Sequence, residues 1–214
     1  MKFDKGIAKI YRKSIEAAFQ TILEKGNRSQ RNIMQAILDS KMLVGVQPVS
    51  AVNASGITGM INSSDTNHKI LSEKLDIKEA LGEIFVTIAE ETIDIGGQQG
   101  CEGTFVHEGR HAFDFANAIA SFSDSDVNPL SIFNPTLYEL EWEAHQTAGD
   151  YMLEVNQDSY LQEGLSLMVL EHDANGKCIV SNQGIKRRLR ESYGLEESGN
   201  QGKMVSEMFG LKQR

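Results

Sequence analysis

Cysteine, proline and long apolar runs are all scarce in this sequence. Two cysteines among 214 residues allow at most one disulfide bond, which excludes a disulfide-stabilised scaffold. No stretch approaches the roughly 18 apolar residues of a membrane span, and the start, MKFDKGIAKIYRKS, lacks the apolar core of a secretory signal. We therefore expect no membrane insertion, and a location in the cytoplasm or secretion by a route without a cleaved signal peptide.

Positive charge is also in deficit. The chain has 30 acidic and 21 basic residues, and its formal net charge is −9. This balance argues against general affinity for nucleic acid or anionic membranes, because both require a positive surface. The basic run Lys186–Arg190 opposes the trend, either as a solvated helix face or as a docking patch for an acidic partner.

Hydrophobic periodicity predicts an α+β fold. Residues 3–24 and 28–41 have the apolar spacing of amphipathic helices, so residues 1–42 should form a helical region packed on a domain of residues 43–214. The Val-, Gly- and Ser-rich segment 44–64 predicts short strands and turns. The length and the 40% hydrophobic content fit one folded unit with a real core.

The middle of the chain gives the strongest strand signal, EIFVTIAEETIDI at 83–95. The Gly-rich segment 96–103 is expected to be a loop, and residues 68–82 favour either one helix or two short pieces. After Gln157 we expect a helix at 159–171, a turn at DANGK between extended pieces, a basic helix and a loose tail.

The segment GTFVHEGRHAFDF contains the motif HExxH, formed by His107, Glu108 and His111. One turn apart on a helix, the two histidines share a face and can both reach one zinc ion, with Glu108 beside them to activate a bound water. The helical wheel places the apolar side chains opposite this motif. The alternative is a pair of surface histidines on an amphipathic helix.

A second predicted helix, Leu137–Val155, carries one glutamate on its apolar side. The apolar stripe consists of Leu137, Leu140, Ala144, Ala148, Tyr151, Met152 and Val155. Glu141 lies within this stripe, whereas Glu139 and Glu143 lie on the wet side. A carboxylate that faces a core is costly without a positive partner, which is a basic side chain or a metal ion. The HExxH motif upstream suggests zinc as that partner of Glu141.

HEGRH followed by E-x-x-A on a later helix resembles the gluzincin metallopeptidases. Glu141–Ala144, with the following HQTAGDYML, is similar to the E-x-x-A segment of ImmA/IrrE-like peptidases and of zincin domains in bacterial polymorphic toxins. The resemblance covers residues 83–155. It implies a zincin-like fold with a small sheet, and zinc-dependent hydrolysis of a protein or peptide substrate, which could add to a sheet edge at Glu83–Ala89.

The resemblance assigns the zinc ion to His107, His111 and Glu141, and the role of general base to Glu108. Asp114, one turn after His111, either orients a ligand imidazole or is a plain surface aspartate.

Several biological roles are consistent with this site. As a toxin effector, the peptidase would have an inhibitor or immunity protein as a partner. An ImmA-like regulatory protease, or a zinc-binding sensor with narrow or no proteolytic activity, is the alternative. A structural zinc site or a metal-free fold is a third interpretation, which the ligand types disfavour.

The donor to a developing oxyanion is open among four residues, Tyr138, His145, Tyr151 and His172. His145 is the first choice because it shares the zinc-facing edge of its helix. It occupies a position where ImmA-like proteins usually have asparagine, and it could instead be a competing ligand, a side chain that contacts a ligand without touching the metal ion, or a half-exposed surface histidine. Cys101 could approach and block the zinc ion, or be an idle thiol.

Overall fold

The computed structural model describes all 214 residues and shows an α+β fold. The helices are α1 Lys9–Lys25, α2 Arg28–Asp39, α3 Val49–Val52, α4 Ser63–Ser72, α5 Ile77–Leu81, α6 Glu90–Asp94, α7 Gly97–Ser123, α8 Leu137–Val155, α9 Asp158–Ser166, α10 Asn182–Arg188 and α11 Val205–Phe209. The strands are β1 Lys2–Phe3, β2 Leu43–Gln47, β3 Gly56–Met60, β4 Ile84–Ala89, β5 Leu170–His172 and β6 Cys178–Val180. None of the helices combines the length and apolar character needed to cross a membrane.

Four strands form one mixed sheet in the order β1-β2-β4-β3. The first three run parallel, and β3 is antiparallel to β4, with Thr58 opposite Val86. The segment Glu83–Ala89, considered above as a sheet edge, therefore lies inside the sheet, and the edge beside it is Gly56–Met60. Strands β5 and β6 form a separate hairpin around the DANGK turn.

Helix α2 lies inside its predicted range, whereas α1 begins later and ends one residue later than predicted. Helix α1 starts at Lys9 rather than at residue 3, because Lys2–Phe3 pair with β2 as a strand. Helix α2 begins with a capping box, in which Asn27 and Gln30 satisfy each other's backbone N–H groups, and it ends at Asp39 rather than at residue 41.

Helix α7 lies at the centre of the fold and contacts α1, α2, α5, α8, β3 and β4. Apolar Phe105 on one side and polar Glu108, His111 and Asp114 on the other are all buried. The alternative of surface histidines on an amphipathic helix is therefore wrong for His111, because α8 and the sheet edge cover this side of α7. Residues 1–42 supply α1, α2 and β1 to the same core and sheet as residues 43–214.

Two predictions around the start of α7 are wrong. The strand expected to reach Ile95 ends at Ala89, where pairing with β2 and β3 stops and Glu90–Asp94 turns into α6. The Gly-rich segment is mostly the start of α7 rather than a loop. Gly100 lets α6 and α7 approach closely, because a Cβ atom at this position would lie 2.8 Å from the carbonyl oxygen of Thr92 in α6.

The remaining segments are shorter than predicted or better ordered. Residues 68–82 contribute to two helices, α4 and α5, and the helix predicted at 159–171 ends at Ser166 because β5 follows it. The tail is not loose. Tyr138 N–H donates to the Gln201 carbonyl at 2.9 Å and Val205 N–H to the Pro135 carbonyl at 3.0 Å, so the tail braces the start of α8.

Candidate metal centre

Helices α7 and α8 pack side by side and bring two histidines and one glutamate together. The Nε2 atoms of His107 and His111 lie 3.1 Å apart. Glu141 places Oε2 3.4 Å from His107 Nε2 and Oε1 3.4 Å from His111 Nε2. The three side chains that the sequence pattern selected therefore point at one place.

These separations fit a zinc ion. Zinc with ligand distances of 2.0–2.1 Å in a tetrahedral arrangement holds its ligand atoms about 3.3 Å from one another. The His107 and His111 nitrogens, 3.1 Å apart, lie within about 0.2 Å of that value, and each lies 3.4 Å from a different oxygen of Glu141, so one carboxylate spans both imidazoles. Two imidazoles and a carboxylate are also the ligand types of an open zinc site.

Unpaired polar atoms concentrate at the same place. Five buried side-chain nitrogen or oxygen atoms in the protein have no hydrogen-bond partner, and three of them belong to His111 (Nδ1), Glu141 (Oε2) and His145 (Nε2). Buried polar atoms in native proteins are almost always paired, so such a cluster requires an explanation. A cation bound between the side chains would pair Glu141 Oε2, which otherwise remains unpaired.

Electrostatics at the cluster favour a bound cation. Burial alone would raise the pKa of Glu141, but interactions with His107 and His111 outweigh it and hold that pKa well below its usual range. Burial alone would lower the pKa of His111, but Glu141 outweighs it and raises that pKa. Glu141 is therefore an ionised carboxylate in a place that is nearly closed to solvent.

Glu108 is held against the edge strand. The Thr58 hydroxyl donates to Glu108 Oε2 at 2.7 Å and to the Glu108 backbone carbonyl at 3.1 Å. Gly56 permits this approach, because a Cβ atom there would lie 2.9 Å from Glu108 Cγ. Strand β3 thus runs beside the HExxH helix and forms one wall of a cleft of about 580 Å³.

His145 lies beside the cluster on α8, one turn after Glu141. It is 5% exposed, so it is not the half-exposed surface histidine considered above. Its Nε2 lies 3.9 Å from Glu141 Oε2, and its ring centroid lies 4.7 Å from that of His107. Burial, together with the charge of His107, lowers the pKa of His145 to about 2, so the imidazole is neutral.

Asp114 does not contact a ligand imidazole. Its carboxylate accepts a hydrogen bond from Arg110 Nε at 2.8 Å, and Arg110 Nη2 also lies 3.3 Å from Glu143. His111 Nδ1, which Asp114 would hold if it oriented that imidazole, has no partner. Asp114 is also 3% exposed, so it is a buried partner of Arg110 rather than a plain surface aspartate.

Of the four candidate oxyanion donors, only His145 lines the cleft. Tyr151 donates its hydroxyl to buried Glu102 at 2.6 Å, and Tyr138 stacks against Trp142. His172 lies on the separate β5–β6 hairpin.

Cys101 is in the core of the fold. It lies within α7 and is fully buried. Burial, with a smaller effect of the Glu102 charge, raises the pKa of its thiol to about 12. The lining of the cleft does not include it, so Cys101 is not placed to block a metal ion.

Tyr193 and Arg188 also line the cleft, although the sequence indicated no role for Tyr193 and pointed to Arg188 only as part of the basic run Lys186–Arg190. Both come from the C-terminal region, where a π-helical turn, Leu189–Tyr193, follows α10. The Tyr193 ring meets His145 edge to face at 5.8 Å. Although Tyr193 is 39% exposed, partial burial and the charge of Glu141 raise its pKa above the ordinary value, at which a tyrosine hydroxyl is already protonated at neutral pH. No local sequence pattern places either residue in the cleft, because each reaches it through long-range packing.

Comparison of this chain with protein-family models, with curated proteins and with solved structures found no match.

Proposed function

We propose that this protein is a zinc-dependent metallopeptidase with a zincin-like fold. The observation that carries the proposal is the convergence of His107, His111 and Glu141 at separations of 3.1–3.4 Å, with Glu108 beside them in an open cleft. A structural zinc site is disfavoured, because such sites are usually closed by four ligands rich in cysteine, and both cysteines lie away from this cluster.

His107, His111 and Glu141 would hold the zinc ion. When bound, zinc supplies Lewis acidity and a water molecule of lowered pKa. Glu108 is the general base, which takes a proton from the attacking water and delivers it to the leaving amine. Thr58 occupies one oxygen of Glu108 and fixes the carboxylate, so the other oxygen can accept the proton.

The free edge of strand β3 is suited to binding a peptide substrate. Its outer side has no neighbouring strand in the sheet, and its exposed Ile57 is one of the residues that line the cleft. An extended peptide can add to such an edge through main-chain hydrogen bonds and so pass in front of Glu108. Tyr193, a neutral hydroxyl donor that faces the same cleft, is the group best suited to stabilise the oxyanion.

The experiment that tests the proposal measures zinc per chain by elemental analysis, without added metal. We compare the wild type with Glu141→Gln and, as the matched control, Glu143→Gln, which changes a partly exposed carboxylate on the same helix. We expect about one zinc in the wild type and the control, and a clear loss in Glu141→Gln. No zinc in the wild type, or a loss in Glu143→Gln alone, would show that the site is misassigned.

Peptide hydrolysis is tested with Glu108→Gln. This variant should keep its zinc and lose cleavage of a peptide library, because only the proton acceptor is removed. If the protein is a toxin effector, expression of the wild type should harm cells and expression of Glu108→Gln should not. Harmless expression of an active wild type would favour the regulatory role instead.

A further inference from the structure

The site contains a fourth possible ligand, which an open zinc site does not require. His145 Nε2 is buried and has no hydrogen-bond partner. The ligand atoms of His107, Glu141 and His145 all lie within 4.8 Å of one another. The protein therefore keeps a third imidazole beside the atoms that would hold the metal ion.

Ordinary structural roles do not account for the position of His145. Its Nε2 is 3.9 Å from Glu141 Oε2, which is too long for a hydrogen bond, so it does not orient that carboxylate directly. Its contact with Tyr193 is an edge-to-face ring contact. A histidine that only filled space would leave a buried nitrogen unpaired, and native proteins avoid this outcome.

We propose that His145 is a fourth protein ligand in the resting state, and that it leaves the metal ion when a substrate enters. This inference rests on the proposed zinc centre. One turn separates Glu141 from His145 on α8, so both side chains can reach the same ion. The 3.9 Å separation exceeds the tetrahedral value by about 0.6 Å, and the ligand atoms of His107, Glu141 and His145 lie within 4.8 Å of one another in a group that does not include His111, so the His145 side chain must move toward the cluster to complete a four-ligand site.

The consequence is a peptidase that regulates its own site. With four protein ligands a zinc site is closed, and no position remains for water. If His145 withdrew, His107, His111 and Glu141 would hold the ion, and the cleft side, where Tyr193 and the edge strand β3 also lie, would be free for water. Hydrolysis of free peptides should then be slow until substrate binding displaces the imidazole.

The test replaces zinc with cobalt(II), whose visible absorption reports the number and type of ligands. We compare the wild type with His145→Ala and His145→Asn, the second being a polar variant in case the first does not fold. His68→Ala, which changes an exposed histidine on α4, is the matched control. We expect one cobalt ion per chain in each protein, and a cobalt affinity at least about tenfold weaker in the two His145 variants.

The spectrum separates ligation from an indirect effect. If His145 is a ligand, the absorption of the His145 variants differs from that of the wild type, and added imidazole restores it in His145→Ala. Identical spectra in the wild type and both variants would overturn the proposal and leave the three-ligand centre intact. If the wild type binds no cobalt or zinc, the metal centre itself is wrong and this inference is wrong with it.

Discussion

A buried carboxylate that connects three helices makes the sharpest prediction about stability. Glu102, on α7, is fully buried and accepts hydrogen bonds from the hydroxyl groups of Tyr151 at 2.6 Å and Tyr160 at 2.8 Å. Gln98 donates to its other oxygen at 2.8 Å. Because Tyr151 is on α8 and Tyr160 on α9, the carboxylate holds both helices against the one that carries HExxH.

The variant Tyr151→Phe removes one of these bonds without changing the shape of the ring. A hydrogen bond to a charged group contributes about 1.5–3 kcal/mol, so the free energy of unfolding should fall by that amount. In a protein of this size, a loss of 1 kcal/mol in the free energy of unfolding lowers Tm by about 2–4 °C, so Tm should decrease by about 3–12 °C. The double variant with Tyr160→Phe should lose more free energy of unfolding than the two single variants lose in sum, because Glu102 Oε2 then has no partner.

The assay is urea unfolding followed by circular dichroism, in excess chelator so that metal binding does not contribute. Tyr11→Phe is the matched control, because the Tyr11 hydroxyl donates to Asp94 at 3.0 Å on the exposed surface and its loss should change little. A Tyr151→Phe protein as stable as Tyr11→Phe, with an unchanged urea dependence, would refute the reasoning. That result would mean that Glu102 gains nothing from the Tyr151 hydroxyl.

Three further predictions concern the cleft and the core. Thr58→Val removes the hydroxyl that fixes Glu108, so kcat should fall roughly ten- to a hundredfold while zinc content stays at the wild-type value. Gly56→Ala places a Cβ atom 2.9 Å from Glu108 Cγ and should cost about 1–3 kcal/mol in urea unfolding. Gly6→Ala, where nothing lies within 4 Å, is its control and should cost little. Cys101, whose pKa is raised to about 12 by burial, should resist a disulfide reagent at pH 8 until the protein is unfolded; the assay uses Cys178→Ser, which removes the partly exposed second thiol, and modification of this variant in its native state would contradict the placement of Cys101.

The helix that carries the third candidate ligand was fully predictable, because its signals are local. Helix α8 has the predicted bounds Leu137–Val155, and Thr136 forms a capping box with Glu139 at its start. Its apolar stripe is buried against the core, with Glu141 inside it. Local periodicity is sufficient for a helix of this kind, since one face packs and the other meets water.

Helix α7 was predicted less well because it is covered on nearly all sides. A wheel separates the apolar side of a helix from its polar side, but it does not show that both sides are buried, as they are in this helix at the centre of the fold. Glycine composition also misled the prediction at its start. Glycines usually mark loops, but Gly100 and Gly109 are inside α7 where a neighbouring element approaches closely, as Met34 Cε does at 2.5 Å from the position of a Gly109 Cβ atom.

The candidate site contains two kinds of functional residue, those that the sequence reveals and those that it does not. Glu141 could be found in the sequence because it breaks a local rule, as a carboxylate placed on an apolar stripe. Tyr193 and Thr58 break no rule, since a tyrosine in a basic segment and a threonine in a strand are ordinary residues there. They face Glu141 and Glu108 only because the chain returns to the cleft from 50 residues or more away, and a contact of that range leaves no periodic signal. A sequence thus indicates most readily a residue whose burial is energetically unfavourable, such as Glu141. Other residues of the site, such as Thr58 and Tyr193, are identified only in the folded structure.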